Sequence, residues 1–275
     1  MANRLAVITG ASSGIGAEFA RQLAARGFDL LLVARRAGRL ADLCAELSRR
    51  YSIDAEPLAA DLAIDSDVER VAHRLATSPR LTFLVNNAGF GTKGLFWDAP
   101  LEGQEAMHRV HVMATMRLCH AALANMVERG AGYLINVSSV SAFSLTAGGA
   151  SYCATKAWMN SFTEGLAVDL AAARSAVRVQ VLCPGFTLTE FHDVLGMNRG
   201  HVPSFLWMQP RDVVEASLRG LEQRKVIVVP GRAYQLIRWL LWALPPSLRR
   251  MTAARSGRLL KRVGAGHAGK KLPPH

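Results

Sequence analysis

Leu5-Ala6-Val7-Ile8-Thr9 runs directly into Gly10-Ala11-Ser12-Ser13-Gly14-Ile15-Gly16, and the reading of the chain turns on this junction. A strand-length apolar run ends in a turn with three glycines, and a helical pattern follows. Glycines let a backbone approach a pyrophosphate, and the start of a helix offers unpaired N–H groups at its positive dipole end. The alternative is a plain glycine-rich connection between strand and helix. The turn lies between the first strand and the first helix, where phosphate binding needs it, and that favours a dinucleotide site built from Thr9, Gly10, Ser12, Ser13, Gly14, Ile15 and Gly16.

Outward from this turn, apolar strand-length runs alternate with helical patterns. The strand candidates are 5–9, 28–34, 53–59, 81–86, 132–138, 177–183 and 225–229. Helical patterns fall at about 14–26, 36–50, 65–77, 100–128, 150–173, 210–222 and 232–244. Runs such as Leu30-Leu31-Leu32-Val33 are continuously apolar, as in a parallel sheet covered on both faces. The alternation predicts an α/β fold: a Rossmann-type, doubly wound, seven-stranded parallel sheet with helices on both faces. Residues 1–230 read as a single domain with no internal repeat or linker. Residues 231–262 read as an apolar and basic helical extension, and 263–275 as a disordered basic tail.

The composition agrees with a globular chain: 275 residues, half of them hydrophobic. Cys44, Cys119, Cys153 and Cys183 stand far apart, without a C-x-x-C pair or clustered histidines. That spacing argues against a metal site or a disulfide framework and for a reducing compartment. No signal-like segment opens the sequence, and no run of about 18–20 apolar residues would span a bilayer, so a cytoplasmic location is expected. The formal charge of +12 is uneven, because residues 245–275 carry Arg249, Arg250, Arg255, Arg258, Lys261, Arg262, Lys270 and Lys271 and no acid.

Three more strand ends carry polar signals. The second ends in Val33-Ala34-Arg35-Arg36. Ala34 cannot accept from a ribose 2′-hydroxyl as a carboxylate would, whereas Arg35 suits a 2′-phosphate, so NADP is favoured over NAD. Arg35 and Arg36 could also simply begin a solvated helix. Asp61-Leu62 follows the third strand; Asp61 reads equally as a cofactor contact or as the N-cap of the next helix. Asn86-Asn87-Ala88-Gly89 follows the fourth.

The chemistry is carried by Tyr152-Cys153-Ala154-Thr155-Lys156. An i,i+4 spacing sets phenol and ammonium on one helix face. Free tyrosine titrates near pKa ~10, and a cation beside it favours the phenolate, which brings acid–base work within reach. Upstream, Ile135-Asn136-Val137-Ser138-Ser139 reads as a buried strand ending in hydroxyls, so Ser139 could bond the same substrate oxygen as Tyr152. Cys153 reads as packing.

With these residues assembled, the chain resembles the short-chain dehydrogenase/reductase family from about Leu5 to Val229. The resemblance rests on T-G-x-x-x-G-x-G at Thr9–Gly16, N-N-A-G at Asn86–Gly89, Ser139, Tyr152-x-x-x-Lys156, and Pro184-Gly185 followed by Thr189. Within the family it is similar to the NADP-preferring branch that includes ketoacyl reductases and some hydroxysteroid dehydrogenases. The resemblance implies hydride transfer between nicotinamide and a carbonyl or carbinol carbon. Tyr152 would be general acid or base, Ser139 would polarise the substrate oxygen, and Lys156 would lower the Tyr152 pKa and hold the ribose. Pro184, Gly185 and Thr189 would line the nicotinamide, with Thr187 in the same cofactor-binding set, and Asn87, Ala88 and Gly89 would pass along the cofactor. It further implies a homodimer or homotetramer through the helices near 100–128 and 150–173.

One position departs from the pattern. Where the family has an asparagine after N-N-A-G, this chain has His111. A packed helix histidine is the favoured reading of its side chain, and a part in the proton relay, as a further catalytic residue, is the other.

On the substrate side, Phe186, Phe191, Val194, Leu195, Met197, Phe205, Leu206, Trp207 and Met208 suit a lipophilic small molecule, or simply pack a covering segment onto the domain. Tyr234 to Leu244 forms an apolar helix with Trp239 and Trp242, stopped by Pro245-Pro246 and followed by the basic tail. Peripheral contact of 232–262 with an anionic membrane is one reading. Packing over the cleft, a subunit interface and a solvated tail are the others. Nucleic-acid binding is not expected, since no base-stacking aromatics accompany the basic residues.

Overall fold

A computed structural model describes residues 4–92, 94–194, 200, 202–245, 247, 248, 250, 251 and 253. Its seven parallel strands are β1 (Leu5–Thr9), β2 (Asp29–Ala34), β3 (Ala55–Ala59), β4 (Leu81–Asn86), β5 (Tyr133–Val137), β6 (Arg178–Leu182) and β7 (Ile227–Val228). They lie in the order β3-β2-β1-β4-β5-β6-β7. The chain winds outward from β1 to β3, returns to β4 beside β1, and winds outward on the other side. The carboxyl ends of β1 and β4 therefore flank the crevice where strand order reverses, the place at which open α/β sheets bind ligands.

Period-two alternation explains why these strands are apolar throughout. Ala6, Ile8, Leu30 and Leu32 enter one hydrophobic core, while Val7, Leu31 and Val33 enter the other. The first core is closed by α1 (Gly14–Ala24), α2 (Ala37–Tyr51) and α8 (Pro210–Glu222), through Phe19, Leu23, Leu40, Leu47 and Leu218. The second is closed by α3 (Asp65–Thr77), α5 (Thr115–Glu128) and α6 (Ala150–Ala172), through Val71, Leu75, Leu118, Met126 and Leu170. Each fully buried Leu or Val contributes about 1.5–3 kcal/mol. β3 is the exception, mostly exposed, and it carries Pro57 where an edge strand tolerates a missing N–H.

The predicted strands and helices all occur, several of them shorter. The single helix read over 100–128 is corrected: α4 (Leu101–His108) passes into a π-helical segment, Arg109–Ala114, before α5 resumes. A short α7 (Glu190–Val194) and α9 (Arg232–Ala243) complete the helices used below. Leu195 and Met197 of the apolar run, the part of the predicted extension beyond 253, and the tail at 263–275 lie outside the described residues.

Candidate active site

The glycine turn is locked from below by two polar side chains. Thr9 Oγ1 accepts from the backbone N–H groups of Asn87 and Ala88, at 3.0 and 3.1 Å. Asn87 Nδ2 donates to the carbonyls of Thr9 and Gly10, at 3.0 and 3.1 Å. The Asn87 side chain is thus spent on the turn itself. A Cβ at Gly10 would fall 2.8 Å from the Ala88 Cα, and one at Gly16 would overlap the Asn87 amide and the Gly10 carbonyl, so only glycine permits this approach of the two loops. Gly14 has φ +56°, and the Thr189 methyl lies against it. α1 then starts with neither a capping side chain nor an acid in its first turn. Its N–H groups are left to an anion, so the turn fits a dinucleotide pyrophosphate.

Beside this turn lie the two arginines that follow β2. Arg36 donates to Ser12 Oγ through Nε and Nη2, at 3.1 and 2.9 Å, and to Ser13 Oγ at 2.9 Å. Its Nη1 meets Glu190 at 2.8 Å, and Arg39 pairs with the other oxygen of that carboxylate, so both guanidinium groups hold Glu190 below the usual carboxylate range. Arg35 is more exposed and lies 3.8 Å from Asp61 Oδ2. The arginine that reaches over the turn is Arg36, read from sequence only as the start of a solvated helix. The N-cap reading of Asp61 is also corrected. α3 begins at Asp65 with Ile64 in the cap position, and Asp61 Oδ1 instead accepts from the Ala63 N–H at 3.0 Å. Leu62 is buried in the second core.

Across the crevice, β5 delivers Ser139 and α6 delivers Tyr152 and Lys156. Ser139 leaves the strand in an extended conformation and accepts from the Ser141 N–H at 3.1 Å. Its hydroxyl is also the group beside Tyr152 that acts to lower the phenol's pKa. Lys156 Nζ donates to the Val137 carbonyl at 2.9 Å, and Ser138 Oγ donates to the Lys156 carbonyl at 2.9 Å, which pins α6 to the end of β5. Deeper still, Asn86 donates to Asn136 and Asn136 to Thr163, both at 2.9 Å, tying β4, β5 and α6 together.

The expected electrostatics needs correction. Burial pushes the Tyr152 phenol up to about 12, and the group opposing that rise is the Ser139 hydroxyl. Lys156 is itself buried and pushed down to about 8 by desolvation. Its ammonium is spent on the Val137 carbonyl and sits 5.8 Å from the centre of the Tyr152 ring. Desolvation of the phenol thus outweighs the neighbouring cation in the protein alone.

His111 is fully buried in the π-helical segment, with its ring centre 5.9 Å from that of Tyr152. Nε2 accepts from the Phe90 N–H at 3.2 Å, and Nδ1 meets Thr155 Oγ1 at 3.0 Å. Burial, then the charge of Lys156, holds its pKa well below 6.5. With both nitrogens engaged and protonation disfavoured, the ring positions the site, and the relay reading is not supported.

On the open side, Phe191 lies 6.0 Å from Tyr152, and Phe186, His192 and Trp207 pack on one another with centres 5.0–5.4 Å apart. Phe186 and Leu188 hydrogen-bond Met208, closing the base of this excursion. Thr187 is buried with its hydroxyl on the Gly185 carbonyl, and Tyr234 covers Gly185. The cysteines are all free and buried, and no metal-binding cluster occurs among the described residues.

A family model described as short chain dehydrogenase matches residues 4–199. An uncharacterized oxidoreductase of Mycobacterium tuberculosis is 34% identical over 259 residues, covering 90% of this chain and 96% of that protein. A short-chain dehydrogenase from Sphingobium yanoikuyae in complex with NADPH superposes with a TM-score of 0.79 at 31% identity, over 99% of this chain and 100% of that one. The bulky-bulky ketone specific alcohol dehydrogenase from Comamonas testosteroni gives 0.76 at 28% identity, over 100% of both chains. At 24% identity and a TM-score of 0.77, over 86% of this chain and 92% of that one, a Burkholderia phymatum structure of the same fold is in complex with NAD.

Proposed function

The chain belongs to the short-chain dehydrogenase family, and from that premise we propose that it is an NADP(H)-dependent oxidoreductase interconverting a hydrophobic ketone or aldehyde with its alcohol. The observation that carries the proposal is the convergence of Ser139, Tyr152 and Lys156 at the carboxyl end of β5, across from an uncapped helix start.

The dinucleotide, when bound, supplies or accepts the hydride. In reduction Tyr152 gives its phenolic proton to the substrate oxygen, and in oxidation it takes that proton back. Ser139 bonds the same oxygen and, through its contact with Tyr152, eases loss of the phenolic proton. Lys156, with a pKa of about 8, is mainly protonated at neutral pH and favours the phenolate formed in each cycle. The Gly14 N–H and its neighbours at the start of α1 would hold the pyrophosphate.

Arginine rather than carboxylate chemistry after β2 supports NADP, as does the NADPH complex of the Sphingobium yanoikuyae relative. The aromatic wall of Phe186, Phe191 and Trp207 supports a lipophilic substrate, as does the ketone range named for the Comamonas testosteroni relative. The test is oxidation of NADPH against NADH with a panel of bulky ketones and aldehydes. Turnover with NADPH is expected to fall on the order of 10²–10⁴-fold in Tyr152→Phe while NADPH binding persists. Turnover that survives the substitution would reject the mechanism.

A further inference from the structure

α9 turns one narrow edge inward. Tyr234 is buried against Gly185, its hydroxyl donating to the Leu206 carbonyl at 2.8 Å and accepting from the Phe186 N–H at 2.9 Å. One turn on, the Arg238 guanidinium lies 4.9 Å from the Phe143 ring centre. The opposite side is apolar and open: Leu236, Trp239 and Leu240 follow i, i+3, i+4 spacing, and Trp242 beside them is 80% exposed. Two open tryptophans and two open leucines on one helix mark an interaction surface.

Charge identifies the partner. All 21 acidic residues lie at or before Glu222, where 21 of the 33 basic residues balance them, so the whole +12 resides in residues 223–275. The exposed apolar face therefore belongs to a segment with cations and no anion.

We propose that α9 docks on an anionic lipid surface, with Trp239 and Trp242 seated at the headgroup boundary. A bilayer of anionic lipid answers both features at once, an apolar boundary for indole and leucine and phosphate for arginine and lysine. A second copy of the chain answers only one. Two-fold pairing through α9 would bring two acid-free, wholly cationic segments together and leave their charges unmatched. At 12 residues α9 is about 18 Å long, and no described helix is long and apolar enough to cross a membrane, so it lies along the surface. Through Tyr234 the docked helix holds the Phe186 and Leu206 backbone, on the aromatic side of the cleft.

The test is co-sedimentation of the full-length protein with phosphatidylcholine vesicles, with and without phosphatidylglycerol. Anionic vesicles are expected to bind on the order of tenfold more protein, with a blue shift of tryptophan emission, and added salt is expected to reverse this. Trp239→Glu combined with Trp242→Glu is expected to abolish the gain while leaving NADPH binding and the unfolding temperature unchanged. Equal sedimentation with both vesicle types, or an unaffected double variant, overturns the proposal. So does a dimer that the double variant dissociates in the absence of vesicle binding, which assigns the face to a second copy. Carbonyl turnover is not a readout, so an enzyme idle toward the ketone panel would leave this result standing.

Discussion

His111 Nδ1 and the Thr155 hydroxyl lie 3.0 Å apart, both fully enclosed, between the loop after β4 and the first turns of α6. Because Nε2 accepts from the Phe90 N–H, Nδ1 carries the proton and donates it to Thr155, which in turn donates to the Tyr152 carbonyl at 2.9 Å. A neutral imidazole thus connects the loop beside Gly89 to the helical turn that carries the Tyr152 phenol. The fit is close, since a Cβ on Gly89 would stand 2.8 Å from Nε2.

Removing that link is expected to loosen the site and to reveal the ionisation that folding suppresses. His111→Ala strands the Phe90 N–H and leaves a cavity, at a cost of about 2–4 kcal/mol by urea unfolding at neutral pH. The wild-type imidazole has a folded pKa below its unfolded value, so its contribution is complete above about pH 6.5. It is lost as pH falls from there toward the folded pKa, by up to about 1.4 kcal/mol per pH unit. His111→Asn is expected to flatten this acid dependence, measured as unfolding free energy between about pH 7.5 and 5.5. Parallel curves for wild type and variant would mean that the ring takes up its proton at the same pH in the folded and unfolded chain.

What the sequence made legible was whatever repeats along it. Continuous apolar runs located the seven strands, and α3 and α8 begin and end where their apolar periodicity and Pro210 predict. That Ser139, Tyr152 and Lys156 come together at the end of β5 was legible from chemistry and spacing. The π-helical segment was not, because an added residue leaves no trace in a run with apolar residues on both sides of His111. Nor was the reach of Arg36 to the glycine turn, which depends on how a long side chain turns back 23 and 24 residues to Ser13 and Ser12. The rise of the Tyr152 pKa depends on depth of burial, and spacing carries no depth.

Ser139 is the group that opposes this rise, and that gives a directional test. Without its hydroxyl the Tyr152 pKa moves higher still, so less phenolate is present at any given pH. For Ser139→Ala, the ascending limb of alcohol oxidation in a kcat/KM profile is expected to move to higher pH. The rate at neutral pH should fall on the order of 10²-fold. A loss of rate with an unmoved limb would limit Ser139 to the substrate oxygen.

Glu190 pairs with both Arg36 and Arg39 beside the glycine turn, and on the proposed reading these guanidinium groups would meet the 2′-phosphate. The carboxylate is an internal competitor for those guanidinium groups. Glu190→Gln keeps the shape and removes the charge, and is expected to tighten NADPH severalfold while leaving NADH unchanged. Arg36→Ala is expected to weaken NADPH on the order of tenfold or more, from loss of a charge-assisted contact. Equilibrium titration by nicotinamide fluorescence reads both. An equal effect on the two dinucleotides would mean that Arg36 serves the turn through Ser12 and Ser13 instead.

Gly185 tests whether α9 is part of the site's architecture. A Cβ at this position would overlap the Tyr234 ring, and Tyr234 is what joins α9 to Phe186 and Leu206. Gly185→Ala therefore has to expel the ring and break both hydrogen bonds, costing about 2–4 kcal/mol by urea unfolding and lowering kcat. Tyr234→Ala breaks the same bonds by another route and leaves room for the new methyl. The two losses are thus not additive: the double variant is expected to be about as stable as Tyr234→Ala alone, since the methyl then meets no ring. Additive losses would place the strain of Gly185→Ala in its own backbone, and α9 would then be a neighbour of the site with no hold on it.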